Sequence, residues 1–297
     1  MSFKPRKLIE ELPAVSHGGL IQAELTELGL KPEDIIDFSV STNPFMPPPG
    51  IRDVISSSPI ERYPDSTSAA LTLKLAERHG LPAEAIVVAS GTTELIRAVA
   101  LACLRPRDKV IIIEPTYGEY EPAVRLSGGK ILHLRAQEAA GFVPDIAAVI
   151  NMISTYRPRA LFLCNPNNPT GILLPEYDIE RITASLGDTL LVLDEAYMTF
   201  IEAGWSSLDL SNRANVVIMR SMTKDYGLPG LRLGYAVTGS AIARYLRKVL
   251  PPWNVNAAAQ AAGLAVLDMD DYLAETVRRT MEAKEYLVAE LFFLSSS

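Results

Sequence analysis

A lysine that takes part in chemistry needs company, and Lys224 has it. In NVVIMRSMTKDYGLPGLRLGY an apolar run ends at Ser221. Thr223, Lys224 and Arg232 follow within twelve residues, among glycines at 227, 230 and 234. Arginine recognises phosphate bidentately and a desolvated lysine forms Schiff bases, so the set suits a phosphate and an aldehyde. A lysine standing alone after a strand would simply be solvated. Three other apolar runs end in polar residues. In LLVLDEAY, Asp194 follows four apolar residues and is costly to bury without a partner. A cation such as a protonated pyridine nitrogen would keep it ionised, although a helix-capping role would also place an aspartate there. In VVASGTTEL, Gly91, Thr92 and Thr93 separate a strand from a helix, a junction whose free N–H groups and dipole bind anions. A plain threonine cap accounts for the same residues. In LFLCNPNNPTG a turn explains much of the composition. The adjacent amides of Asn167 and Asn168 exceed what a turn requires, and would suit a ligand's hydroxyl or phenolate oxygen.

These ends belong to a series of short apolar runs, at 85–90, 109–115, 130–134, 160–166, 190–197, 215–221 and 234–239. Most are nearly continuous rather than alternating, the pattern of strands buried on both faces. Helical spacing appears between them, as in TTELIRAVALACL over 92–104. Strands alternating with helices predict an α/β fold, a mostly parallel sheet with helices on both faces, whose ligands bind beyond the carboxyl ends of the strands. The prolines of NPFMPPPG, residues 43–50, exclude regular structure there and read as a linker between an N-terminal arm and the main domain.

The chain has 297 residues, 48% hydrophobic and 21% charged, a length for one large domain or two modest ones. Its net charge of −7 and the lack of a basic run argue against a nucleic-acid surface. Cys103 and Cys164 sit in apolar runs and read as small buried hydrophobes, neither a disulfide framework nor a metal pattern. Three scattered histidines make no zinc site, and the expectation is no metal. No stretch approaches a membrane span and MSFKPRKLIEELP lacks a signal-peptide core, so the expected setting is the cytoplasm, away from membranes.

SMTKDYGLPGLRLGY resembles the lysine signature of the class I/II aminotransferases of fold type I, which use pyridoxal 5'-phosphate. NPNNPTG and LDEAY resemble two further hallmarks, in the family's order, and the likeness runs from about His17 to about Tyr286. EPTYGEY and RYPD resemble the branch of histidinol-phosphate aminotransferases and threonine-phosphate decarboxylases; HGG at 17–19 and PPWNVN at 251–256 lean towards the decarboxylase. The resemblance implies that Lys224 holds the cofactor as a Schiff base and then acts as general base, with Asp194 and Tyr197 as its catalytic companions. Asp194 would face the pyridinium nitrogen, Tyr197 and Asn168 the phenolic oxygen, and Tyr117 the ring face. Gly91, Thr92, Thr93, Ser221, Thr223 and Arg232 would hold the phosphate. Tyr63 would reach the phosphate of a neighbouring subunit, which implies a homodimer. His17, Gly18 and Asn43 would face the substrate, an amino acid or phosphorylated amine.

The resemblance also implies three parts: residues 1–42 as an N-terminal arm with part of a small domain, 43–245 as the large cofactor-binding domain, and 246–297 as the start of a C-terminal small domain. In the family that domain supplies an arginine for the substrate's carboxylate or phosphate. Here the sequence ends at AELFFLSSS, which predicts an incomplete small domain and exposed apolar surface after about Tyr286. The leading expectation is transamination; decarboxylation, or a cofactor-binding remnant with little turnover, are the alternatives.

Overall fold

The computed structural model describes residues 3–10, 12, 15, 17–201 and 205–295. Seven strands form one sheet: β1 Ile86–Ala89, β2 Lys109–Glu114, β3 Lys130–Arg135, β4 Ala160–Cys164, β5 Leu190–Asp194, β6 Val216–Ser221 and β7 Gly234–Thr238. Their spatial order is β1-β7-β6-β5-β4-β2-β3. β7 runs antiparallel to both neighbours and the remaining pairs are parallel, as the alternation of apolar runs with helices predicts.

Successive strand residues point to opposite faces, and each face has its own core. Ile111, Leu161, Leu191 and Ile218 pack on one side with Leu75, Val149, Ile182 and Ala262 from helices Ala69–His79, Ile146–Tyr156, Glu176–Ser185 and Ala257–Val266. Val110, Phe162, Val192 and Val217 pack on the other with Val99, Val124 and Leu246 from Thr92–Cys103, Tyr120–Leu126 and Ser240–Val249. Each such aliphatic side chain contributes roughly 1.5–3 kcal/mol when fully buried. β3 differs: it is the edge strand, and only Leu134 of its six residues is buried.

The proline-rich stretch 43–50 is not in regular structure, and Asn43 and Pro48 within it are buried. Helix Asp270–Ser295 starts against the body of the protein, where Thr276 is buried. Further along it Tyr286, Leu287, Val288, Leu291 and Phe292 are exposed, as expected for that stretch. Cys164 is buried, but Cys103 is only partly so, at the end of its helix. Among the described residues no helix is long and apolar enough to cross a membrane.

Candidate active site

The carboxyl ends of β5 and β6 and the N-terminus of helix Thr92–Cys103 open onto one cavity of about 600 Å³. Asp194 is the last residue of β5, and Lys224 follows the end of the adjacent parallel strand β6 by three residues. Both line the cavity.

Asp194 is 2% exposed. Tyr120 Oη donates to its Oδ2 at 2.8 Å and the Ala196 N–H donates to its Oδ1 at 3.1 Å. Burial pushes its pKa up to about 6, against the pull of those two donors. It does not cap a helix; the Ala196 bond is a tight turn at the strand exit. Lys224 is half-buried, and its ammonium lies 5.9 Å from the centre of the Tyr197 ring. Burial, and secondarily the charge of Arg232, lower its pKa and favour the neutral amine. Tyr197 Oη donates to the Ser41 carbonyl at 3.1 Å, and burial pushes its pKa up to about 12.

The helix junction carries no threonine cap. Gly91 is the cap residue, with φ of +83°, and no side chain caps the helix start. Thr92 and Thr93 are instead the first two helical residues. A Cβ on Gly91 would stand 2.9 Å from the Arg232 guanidinium, so glycine lets that charge close over the helix end. Ser221 and Thr223 complete this wall, their hydroxyls 3.0 Å apart. Tyr117 hydrogen-bonds Thr93 across the cavity, with 3.0 Å between hydroxyls. The two asparagines separate in role: Asn168 lines the cavity, whereas Asn167 is spent on the turn, bonding Thr116, Pro115 and Thr170.

His17 and Gly18 reach the cavity because residues 17–19 dock on Ser39 and Val40. The Gly19 N–H donates to Ser39 Oγ at 2.7 Å, and a Cβ on Gly18 would lie 2.0 Å from the Ser39 carbonyl oxygen. Of the residues expected in this cavity, Asn43 is not brought there. Asn43 is buried beside helix Asp270–Ser295: its Nδ2 donates to the Asp225 carbonyl at 2.9 Å and to Tyr272 Oη at 3.0 Å, and its Oδ1 accepts from Phe45 N–H. Its hydrogen-bonding capacity is used within the protein, which corrects the expectation that it faces substrate. Its own N–H donates to the Lys224 carbonyl, so it braces the short helix Met222–Asp225 that carries the lysine. Tyr63 lies outside this chain's cavity, exposed, with its ring stacked on Trp253 at 4.5 Å. Cys164 and Tyr120 join the site without having been singled out as site residues. Burial pushes the Cys164 thiol up to about 12, so it stays protonated.

The profile of the family "Aminotransferase class I and II" matches residues 33–292, and the chain belongs to that family. It is an enzyme of the aminotransferase class. The histidinol-phosphate aminotransferase of Moorella thermoacetica is 33% identical, over 97% of this chain and 75% of that protein. The threonine-phosphate decarboxylase of Salmonella typhimurium is 39% identical, over 85% of this chain and 70% of its own. The crystal structure of histidinol-phosphate aminotransferase from Sinorhizobium meliloti in complex with pyridoxal-5'-phosphate has the same fold, with a TM-score of 0.84 over 96% of this chain and 77% of that one, at 22% identity.

Proposed function

We propose that the cavity binds pyridoxal 5'-phosphate on Lys224 and that the protein moves an amino group between a phosphorylated amine or amino acid and a 2-oxo acid. What carries this reading is the pairing of a half-buried amine with a buried carboxylate that has only neutral donors around it, on adjacent strand ends of one cavity. The residues fit the cofactor. Arg232, Ser221, Thr223 and the first N–H groups of helix Thr92–Cys103 would take its phosphate, and the glycine at 91 leaves room for that group to approach. Asp194 would face its ring nitrogen, Asn168 and Tyr197 its phenolic oxygen, and Tyr117 its ring.

When bound, the cofactor supplies an electron sink for charge left on the substrate carbon. Lys224, biased towards the neutral amine, would take the proton from the substrate carbon that bears the nitrogen, hold it on Nζ and release it on the cofactor side of that nitrogen, so that the amino group stays with the cofactor. Asp194 would keep a negative charge facing the ring nitrogen. Tyr120 restrains that carboxylate through its hydroxyl.

Decarboxylation is the second reading, supported by the 39% identity to the Salmonella enzyme and by HGG and PPWNVN. There the bond from the same carbon to the carboxylate breaks instead. Product analysis decides: with a phosphorylated amino acid and a 2-oxo acid, a new keto compound and a new amino acid are expected. Release of carbon dioxide would replace transamination by the second reading, and neither product from cofactor-loaded protein would leave a binding remnant.

We further propose that the protein works in the cytoplasm as a homodimer, with 1–42, 43–245 and 246–297 as its three parts. Tyr63 supports the assembly: it is exposed beside exposed Ile60 and is held by Trp253 at the surface. Sedimentation should give the mass of two chains. Tyr63→Phe should weaken cofactor retention roughly tenfold or more, the size of one lost bond to a charged group, while leaving the lysine linkage in place. A monomer at micromolar concentration that retains cofactor tightly would rule the assembly out.

A further inference from the structure

Asp194 and Lys224 are each followed by an acidic residue that the proposed mechanism does not use, Glu195 and Asp225. Strand residues alternate between faces. Asp194 and Ser221 line the cavity, and their neighbours in sequence, Glu195 and Arg220, do not. Those two meet on the other side of the sheet. Arg220 Nε donates to Glu195 Oε2 at 2.8 Å, and a second guanidinium nitrogen lies 2.6 Å from the same oxygen. The Glu195 side chain is wholly buried, and that of Arg220 is 17% exposed. The main chain joins the strands at the same level, where the Glu195 N–H donates to the Met219 carbonyl at 2.8 Å. Arg220 stands opposite Tyr235 of β7, whose hydroxyl is 2.7 Å from His79 Nε2. Asp225 Oδ1 is buried and has no hydrogen-bond partner among the described residues; the positive charges that act on Asp225 are those of Arg220 and Arg78.

Stability does not account for this pair. Taking two charges out of water costs about as much as their attraction returns, and apolar side chains of similar volume often serve a fold equally well or better. What the pair adds is direction. A guanidinium is planar and carries its donors in a fixed fork, so two of its nitrogens on one oxygen fix the angle as well as the distance. The tie crosses from β5 to β6 one residue beyond Asp194 and four residues before Lys224. A displacement of about 1 Å between reacting groups is enough to cost about 10²-fold in rate. The buried pair sits where such a displacement would begin.

We propose that Arg220 is a positioning residue which, from the face of the sheet away from the cavity, ties the end of β5 to the end of β6 and so sets the spacing of Asp194 and Lys224. This rests on the roles given to those two residues under the proposed function. Two variants test it. Arg220→Lys keeps the charge but not the fork. Arg220→Met combined with Glu195→Met removes both charges while keeping two side chains of similar length, and it keeps the test open if the lysine variant does not fold. Stripped protein is mixed with pyridoxal 5'-phosphate, and the absorbance change gives the limiting rate of link formation and the concentration at half that rate. Both variants should lower the limiting rate about tenfold or more and leave the half-saturating concentration within about twofold, because the phosphate-binding groups stay in place and the reacting groups do not. A second readout needs no cofactor. Stripped protein is acetylated with a trace of acetic anhydride across a pH series, and peptide mapping gives the reactivity of each lysine. In wild type Lys224 should become reactive at lower pH than the exposed lysines, being half-buried beside the charge of Arg232. In both variants that pH should rise, so that its neutral fraction at pH 8 falls about threefold or more. Urea melts identify which variants are folded. A folded variant with the wild-type limiting rate, a loss confined to the half-saturating concentration, or a Lys224 profile that moves only when the charge is removed would overturn the proposal. Borohydride mapping of wild-type protein reports separately on the functional reading. If Lys224 carries no cofactor that reading fails, and the acetylation profile still decides the role of Arg220.

Discussion

Lys224→Ala is expected to abolish the borohydride-reducible link between this protein and pyridoxal 5'-phosphate. The physical reason is the fraction of neutral amine. A solvated lysine is almost wholly protonated at neutral pH and is a poor nucleophile. Lys224 is half-buried, which disfavours its charge, and Arg232 adds like-charge repulsion. Both act in one direction, so more of the reactive form is present than on any solvated lysine. The short helix Met222–Asp225 is braced as well, since the Asn43 N–H donates to the Lys224 carbonyl and the Asn43 amide to that of Asp225. Peptide mapping of reduced wild-type protein should find one cofactor-bearing peptide, containing Lys224. Lys224→Arg should also lose it, because arginine keeps the charge and never offers a free amine. Turnover should fall by about 10²-fold or more in both variants, the usual range for loss of a general base. A reduced adduct on another lysine would remove the basis of the functional reading.

The strands were legible because continuous apolar runs leave few alternatives in a chain without membrane-length segments. All seven runs became strands, differing by a few residues at their ends. β3 shows the limit: its apolar run looks like the others, yet it lies at the sheet edge and is mostly not buried. Strand order is set by crossover connections, and composition does not encode it. The same limit separates the site residues that converge from those that do not. Asp194, Lys224 and Thr92 are tied to strand and helix ends, so locating the ends located them. Asn43 lies in a segment without regular structure, and its partners Tyr272 and Thr276 are more than two hundred residues away. Tyr120 and Glu119 were within the EPTYGEY motif, but nothing local says that one meets Asp194 and the other His17. Residue type signals a cost of burial; only the assembled fold shows what offsets it.

Asp194→Asn should lower the rate of amino-group transfer by about 10²-fold or more with cofactor saturating, as expected when a preorganised charge is removed from a reacting centre. Asparagine fills the same space, its Oδ1 can accept from the Ala196 N–H and its Nδ2 can donate to Tyr120 Oη, but it cannot hold a negative charge opposite the ring nitrogen. The cost of keeping that charge should be visible in protein stripped of cofactor. Burial raises Asp194 from its ordinary 3.8 to about 6. The folded state therefore binds this proton more tightly than the unfolded chain, and stability falls as pH rises from about 4 to 6. Above about 6 the full penalty of roughly 3 kcal/mol applies, and below about 4 it is absent. Asp225, pushed up to about 7 by burial, adds a term of the same sign, but it is common to both proteins and cancels in the comparison. Urea melts of stripped protein should then show Asp194→Asn more stable than wild type at pH 8, by up to roughly 3 kcal/mol, and equal to it near pH 4. Adding pyridoxal 5'-phosphate should reverse the order at pH 8, because the ring nitrogen gives the carboxylate the cation it lacks. A variant that keeps the wild-type rate with bound cofactor, or that is no more stable without it, would show that Asp194 does not hold this charge.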